Sequence, residues 1–202
     1  MRAQDYADLY ALEESLWWFV GMREVTRAVL DPLCPPGRRR DILDAGCGTG
    51  GMLTWLERYA DGGRVAGVDI SADALDFCRS RGLRDVARAS VTALPFDAET
   101  FDLVTSFDVL VQLPGEGSDE LAMREMFRVL RPGGLVVIED SAQLSESPQL
   151  GNVLRGFPRE FHEPFYADYL EDDLADMLRE VGFAIESSEP QFVAKVVAAR
   201  RP

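Results

Sequence analysis

Four glycines fall within the six residues Gly46-Cys47-Gly48-Thr49-Gly50-Gly51, directly after one apolar run and directly before a helix-like segment. Glycine at a strand-to-helix turn lets the backbone bend sharply and approach a ligand with no Cβ in the way. The helix that follows offers unpaired N–H groups in its first turn. The segment reads as a nucleotide cradle, and a cradle of this kind needs a strand before it and a helix after it. The chain supplies that pattern repeatedly. Strand-like runs at 41–46, 64–70, 85–89, 101–107 and 134–140 alternate with helical patterns near 50–60, at Ala72–Ser80 and near 119–130. Short connections between alternating strands and helices imply an α/β protein with a mostly parallel sheet covered on both faces. Met123, Met126, Phe127 and Leu130 recur at the 3.6-residue period and mark a buried helix face.

The flanks extend this plan. Residues 4–33 read as one or two leading helices, stopped by Pro32, Pro35, Pro36 and Gly37. Near the other end, Leu170, Leu174, Met177, Leu178 and Val181 repeat the helical stripe, with Glu171, Asp172 and Asp173 as acids in its first turn and Gly182 placed to cap it. Two last strands, 183–189 and 192–200, are separated by Pro190-Gln191 in a hairpin-like connection.

Spacing alone leaves the nucleotide open. Gly46, Gly48 and Gly51 fit the G-x-G-x-x-G dinucleotide pattern, and Asp69 stands where an acid would hold ribose hydroxyls, which is the reading of an NAD-dependent oxidoreductase. Asp44 opposes it, because a carboxylate at the strand end would repel a pyrophosphate approaching the turn. S-adenosylmethionine carries an ammonium, a sulfonium and a ribose but no phosphate, so acids at both Asp44 and Asp69 are intelligible for it. A purely structural glycine turn is the remaining alternative.

At these residues the chain resembles the class I S-adenosylmethionine-dependent methyltransferases. Asp44 to Gly50 is similar to the family's first motif and Val68-Asp69-Ile70-Ser71 to its ribose-binding strand end. Ala93-Leu94-Pro95-Phe96 with Phe101-Asp102-Leu103-Val104, and Leu130-Arg131-Pro132-Gly133-Gly134-Leu135, are similar to the later elements in order and spacing. The set is similar to the branch that includes quinone-biosynthesis and natural-product methyltransferases. The resemblance implies a Rossmann-like sandwich with a seven-stranded, mostly parallel sheet, its last strand antiparallel and helices on both faces. It implies S-adenosylmethionine as cofactor, with S-adenosylhomocysteine as product. Gly46, Gly48 and Gly50, with Cys47 among them, would let the backbone approach the methionine part, with Asp44 as a nearby acceptor. Asp69 would accept from the ribose hydroxyls and Ile70 would pack on adenine. Where the family often has an Asp just before Leu-Pro-Phe, this chain has Ser90 followed by Val91, so the Ser90 hydroxyl or the Val91 backbone is left for the adenine contact. Ser106, at the end of the fourth strand, completes that side.

Trp17-Trp18-Phe19-Val20-Gly21-Met22-Arg23 resembles the Trp-Trp-Phe-x-x-x-Arg lead-in of many small-molecule methyltransferases. Three successive aromatic rings cannot share one helix face, so at least one leaves the packing stripe. The resemblance places Trp18 over the cofactor and Arg23 near its carboxylate. Residues 141–168 show no clear period, and an aperiodic stretch of more than ~15 residues is usually functional or disordered. Phe157, Phe161, Phe165, Tyr166 and Tyr169 surround His162, the protein's one histidine, so the stretch reads as a lid over an acceptor pocket. His162 is a candidate general base, with Asp108 and Tyr166 as competitors.

Composition bounds the rest. A chain of 202 residues with 47% hydrophobic content suits one domain with a sizeable core. The expected division is a helical cap at 1–37, a cofactor-binding core at 38–140, the lid at 141–168 and a C-terminal helix and hairpin at 169–202. The N-terminus leads into no signal-type apolar core and no run reaches the ~18 apolar residues of a membrane span, so a cytoplasmic protein is expected. Cys34, Cys47 and Cys78 lack metal or redox spacing and read as packing residues; no metal is expected. The 35 acids against 21 Lys and Arg give a net charge of −14, a field that repels nucleic acid and anionic membranes. Arg38-Arg39-Arg40, the one basic run, reads as a solvated linker. The expected partner is therefore a small, apolar or aromatic acceptor, methylated by in-line displacement. A non-catalytic S-adenosylmethionine-binding protein is the third reading, and the oligomeric state is open.

Overall fold

The computed structural model describes residues 3–144, 151–152, 155, 166–191 and 194–202. Its centre is a seven-stranded sheet made of β1 (Ile42–Ala45), β2 (Val65–Asp69), β3 (Val86–Arg88), β4 (Phe101–Phe107), β5 (Leu130–Ser141), β6 (Ala184–Gln191) and β7 (Ala194–Arg200). The strand order is β3-β2-β1-β4-β5-β7-β6. The first five strands are parallel, and β7 runs antiparallel to both of its neighbours.

Alternate residues of each strand feed two cores. Ile42, Leu103, Leu135, Val137 and Val196 pack beneath α2 (Trp17–Leu33) and α3 (Gly51–Ala60). Leu43, Val104, Val136, Ile138 and Val197 pack beneath α5 (Ser118–Val129), α6 (Tyr166–Glu171) and α7 (Leu174–Val181). This is the period-two consequence of a sheet covered on both faces, and it explains why strand runs such as Val136-Val137-Ile138 are apolar throughout. α1 (Ala3–Leu12) packs against α4 (Ala72–Ser80), with Tyr10 stacked on Phe77 at 4.8 Å.

Several boundaries differ from the sequence-based expectation, each for a local reason. Pro32 does not stop α2; the helix runs to Leu33 and the Cys34 amide bonds the Leu30 carbonyl at 2.7 Å. The Leu170-to-Val181 stripe is two helices, because Asp173 accepts from the Ala175 and Asp176 amides and so starts α7 afresh. Pro190 and Gln191 belong to β6, opposite Lys195 and Ala194. That strand is the sheet edge, where a missing N–H is tolerated. Arg40 is no solvated linker: it is 7% exposed and donates to the carbonyls of Pro35, Arg38 and Tyr59. Arg38 and Arg39 pair with Asp102 and Asp41 at the N-terminal end of the sheet, away from the glycine turn. All three cysteines are buried and free, as packing residues should be. No helix among the described residues is long and apolar enough to cross a membrane.

Candidate functional site

The glycine turn joins β1 to α3 at the C-terminal edge of the sheet. The amides of Gly46 and Cys47 both donate to the Val68 carbonyl, at 2.8 and 2.9 Å, which pins the turn to the end of β2. Gly46 has φ +94°, and a Cβ there would lie 2.3 Å from Cγ2 of Val109. Only glycine lets the turn pass this close to the segment after β4. Over Gly48 the nearest atom to a built Cβ is Cδ2 of Leu9, at 3.6 Å, so α1 roofs the turn. The Cys47 thiol is held far above its usual range by the Cys78 thiol and by burial, so it is inert as a nucleophile.

Two acids frame the turn. Asp69, the last residue of β2, accepts from the Gly48 amide at 2.9 Å and from the Ser71 amide at 2.8 Å. Asp44 is 1% exposed beneath the turn and accepts from the Thr105 hydroxyl at 2.8 Å. Burial pushes the Asp44 carboxyl up to about 7, against the pull of Thr105 and with the charge of Asp69 adding to the rise. The folded state thus holds this proton more tightly than the unfolded chain, whose value is 3.8. The Asp44 contribution to stability is largest below about pH 4 and falls as pH rises towards 7. Asp44→Asn removes that loss. In urea titrations at pH 4 and pH 8 the variant should gain on the parent by about 4 kcal/mol between the two. A difference independent of pH would refute the assignment.

Sequence reasoning missed Glu13. Its carboxylate, 7% exposed in the elbow between α1 and α2, accepts from the Thr49 hydroxyl at 2.5 Å, the Gly51 amide at 3.1 Å and the Arg81 guanidinium at 2.5 Å. It occupies the N-terminus of α3, where the helix dipole and free amides favour an anion. These contacts span 36, 38 and 68 residues, so no local pattern announces them. Arg23 braces the same elbow, donating to the carbonyls of Glu13 at 2.8 Å and Glu14 at 3.3 Å.

Beyond the turn, the structure brings two candidates together: the Trp18 indole donates to Asp108 Oδ2 at 3.5 Å. Asp108 directly follows β4 with φ +53°, in a left-handed conformation rare for a side-chain-bearing residue. Beside it, Asp140 accepts from the amides of Val109, Leu110 and Ser141, and Glu139 is 2% exposed. Burial raises all three carboxyls above the usual range; the Trp18 hydrogen bond lowers Asp108, and neighbouring acids raise Glu139 and Asp140 further. Ser106 is fully buried and donates to the Ala45 carbonyl at 3.1 Å, supporting the turn from below. Ser90 bonds Thr92, Val91 is 5% exposed, and Ile70 is 65% exposed at the β2 end, which excludes core packing for it. Trp17 is the ring that leaves the stripe, at 72% exposure. The backbone of Tyr166 opens α6, which packs on the 3-10 turn Leu110–Gln112. His162 lies outside the described residues. Among the described residues no group of His, Cys, Asp and Glu is arranged for a metal. A cleft of about 510 Å³ between α2 and β6 lies four strands from β1 and takes no part in this cluster.

A glycine turn after the first strand, acids closing β1 and β2, and an antiparallel strand inserted before the sheet edge together define the class I methyltransferase fold. Residues 43–138 match the methyltransferase domain family, and the sheet around them has the Rossmann-like fold of the S-adenosylmethionine-dependent methyltransferases. Methyltransferase GfsG of Streptomyces halstedii is 33% identical over 132 residues, covering 55% of this chain and 46% of that protein. The malonyl-[acyl-carrier protein] O-methyltransferase of Salmonella typhimurium is 40% identical over 104 residues, covering 50% and 39%. The chain thus spans about half the length of these relatives, or less. A putative methyltransferase structure from Bacillus halodurans superposes with a TM-score of 0.68 at 16% identity, over 87% of this chain and 98% of that one.

Proposed function

We propose that the protein binds S-adenosylmethionine at the glycine turn and transfers its methyl group to a small, apolar or aromatic acceptor. One observation carries the choice of cofactor. The α3 N-terminus, where a dinucleotide would set its pyrophosphate, already holds the Glu13 carboxylate, and Asp44 lies beneath the same turn. Three acids, Glu13, Asp44 and Asp69, surround a turn that a phosphate would have to share. A nucleotide with a cationic, phosphate-free tail fits these charges.

Asp69 retains lone pairs for ribose hydroxyls beyond the two amides it already accepts, since a carboxylate offers about four acceptor positions. Ile70 is exposed where a purine face would cover it, and Ser90 and Val91 remain the candidates for the adenine edge. Arg23 acts through the elbow that it braces. When bound, S-adenosylmethionine supplies an electrophilic methyl group on a sulfonium. The protein's share is alignment of the acceptor and removal of its proton, for which Asp108 is placed, held by Trp18. The net charge of −14 turns nucleic acids away, which favours a small acceptor.

Calorimetry with S-adenosylhomocysteine and NADH, followed by a labelled-methyl assay on small phenols and amines, tests this. S-adenosylhomocysteine should bind and NADH should not; equal or tighter NADH binding overturns the cofactor. Binding with no methyl transfer to any acceptor leaves the non-catalytic reading instead.

A further inference from the structure

Beside Asp108 stand two buried acids of β5, Glu139 and Asp140, and Asp140 has the buried Lys195 as its register partner on β7. Asp140 is fully buried and satisfied by three backbone amides, which hold its carboxylate in one orientation. Among the described residues the Asp108 carboxylate accepts one long hydrogen bond, from Trp18. Glu139 projects from β5 on the face it shares with Phe107, its partner on β4, and lies close enough for the charges of Asp108 and Asp140 to act on it. Its Oε2 is buried and has no hydrogen-bond partner among the described residues. A buried carboxylate oxygen without a donor is costly, about 1–3 kcal/mol or more, and the neighbours here add repulsion rather than relief. Nothing in the packing of this end of the sheet requires a Glu, because Val137 and Leu135 on the same face of β5 are apolar.

The position separates these acids from the turn. Asp44 is level with Thr105 and Val137, whereas Glu139 lies two residues further along, so it stands about 7 Å beyond Asp44 and about 10 Å across the sheet. Next to them the first turn of α2 carries Trp18, partly buried, and Val20 at 41% exposure, with Trp17 and Leu16 exposed beside it. The juxtaposition is an apolar, aromatic rim beside two acids, Glu139, whose Oε2 lacks a donor among the described residues, and Asp108, which accepts from the Trp18 indole.

We propose that Asp108 and Glu139 form the acceptor subsite and that it selects a protonated amine carried on an apolar or aromatic body, against a carboxylate of the same shape. The ammonium supplies the donor that Glu139 Oε2 lacks, and its charge offsets the repulsion between Glu139 and Asp108. The assignment rests on the methyltransferase reading for the acceptor's role, though the cation site can be tested without turnover.

Tyramine and 3-(4-hydroxyphenyl)propionate differ in the charge of one terminal group, and each is titrated calorimetrically into the full chain, alone and with S-adenosylhomocysteine. Tyramine should bind tighter than the propionate by about tenfold or more, as expected for charge-assisted hydrogen bonds. Glu139→Gln, near-isosteric and relieved of buried charge, should fold and should lose about tenfold of the tyramine affinity. Its S-adenosylhomocysteine affinity should stay within about twofold, because Glu139 is remote from Asp69. The proposal is overturned if the propionate binds as tightly, if neither probe binds, or if Glu139→Gln binds tyramine unchanged. Failure of S-adenosylhomocysteine to bind, with tyramine still preferred, would instead overturn the cofactor reading and leave the cation site standing.

Discussion

Asp69→Ala should raise the dissociation constant for S-adenosylhomocysteine about 100-fold or more, the worth of two charge-assisted hydrogen bonds lost together. Two losses combine in this one change. The Gly48 and Ser71 amides, which the carboxylate holds at 2.9 and 2.8 Å, are released, so the turn loses its shape. The proposed acceptors for the ribose hydroxyls go as well. Asp69→Asn separates the two effects: its amide oxygen can still brace one backbone donor, so it should fold like the parent and fall between the two in affinity. Calorimetry on all three proteins reads the series. Unchanged affinity in Asp69→Ala would mean that the glycine turn does not hold this nucleotide.

Glu13→Ala is expected to have the largest effect on stability, about 3–5 kcal/mol, the usual cost of deleting one partner of a buried ion pair. The Arg81 side chain is only 15% exposed and would be left without its closest carboxylate; Glu14, at 3.4 Å, is a longer and more exposed partner. The Gly51 amide and Thr49 hydroxyl would lose their acceptor too. For a domain of this size, that corresponds to a fall in Tm of about 6–15 °C. Because the elbow carries both helices that roof the turn, cofactor affinity should fall with it. Glu13→Gln keeps an acceptor oxygen and should recover part of the loss. A thermal melt of Glu13→Ala that matches the parent would show that the elbow does not depend on this carboxylate.

The elements legible in the chain were those with their own local signals. α4 begins where Ser71 caps it and ends before Gly82; β4 runs between Phe101 and Phe107 as its apolar pattern indicates. The glycine turn, Asp44 and Asp69 sit where motif spacing placed them, because a strand-to-helix turn is a local structure. Where a single residue's competing role decided the outcome, the pattern misled. Asp173 reads as part of a continuous acidic first turn but caps a new helix, and Pro190 reads as a break but fits an edge strand. Arg40 reads as solvated and is buried, since the carbonyls of Pro35 and Arg38 beside it and of Tyr59, 19 residues on, converge on its guanidinium.

What the sequence by itself determined was the alternating α/β plan and the glycine turn with its two acids, because backbone freedom, hydrophobic period and capping act over a few residues. Only the tertiary structure decided what gathers at the strand ends: Glu13 on the α3 N-terminus at the turn, and, apart from it, Trp18 on Asp108 with Glu139 and Asp140 nearby. Those contacts join residues tens of positions apart. Their physics is burial and charge at close range, which exists once the sheet has brought the strand ends together.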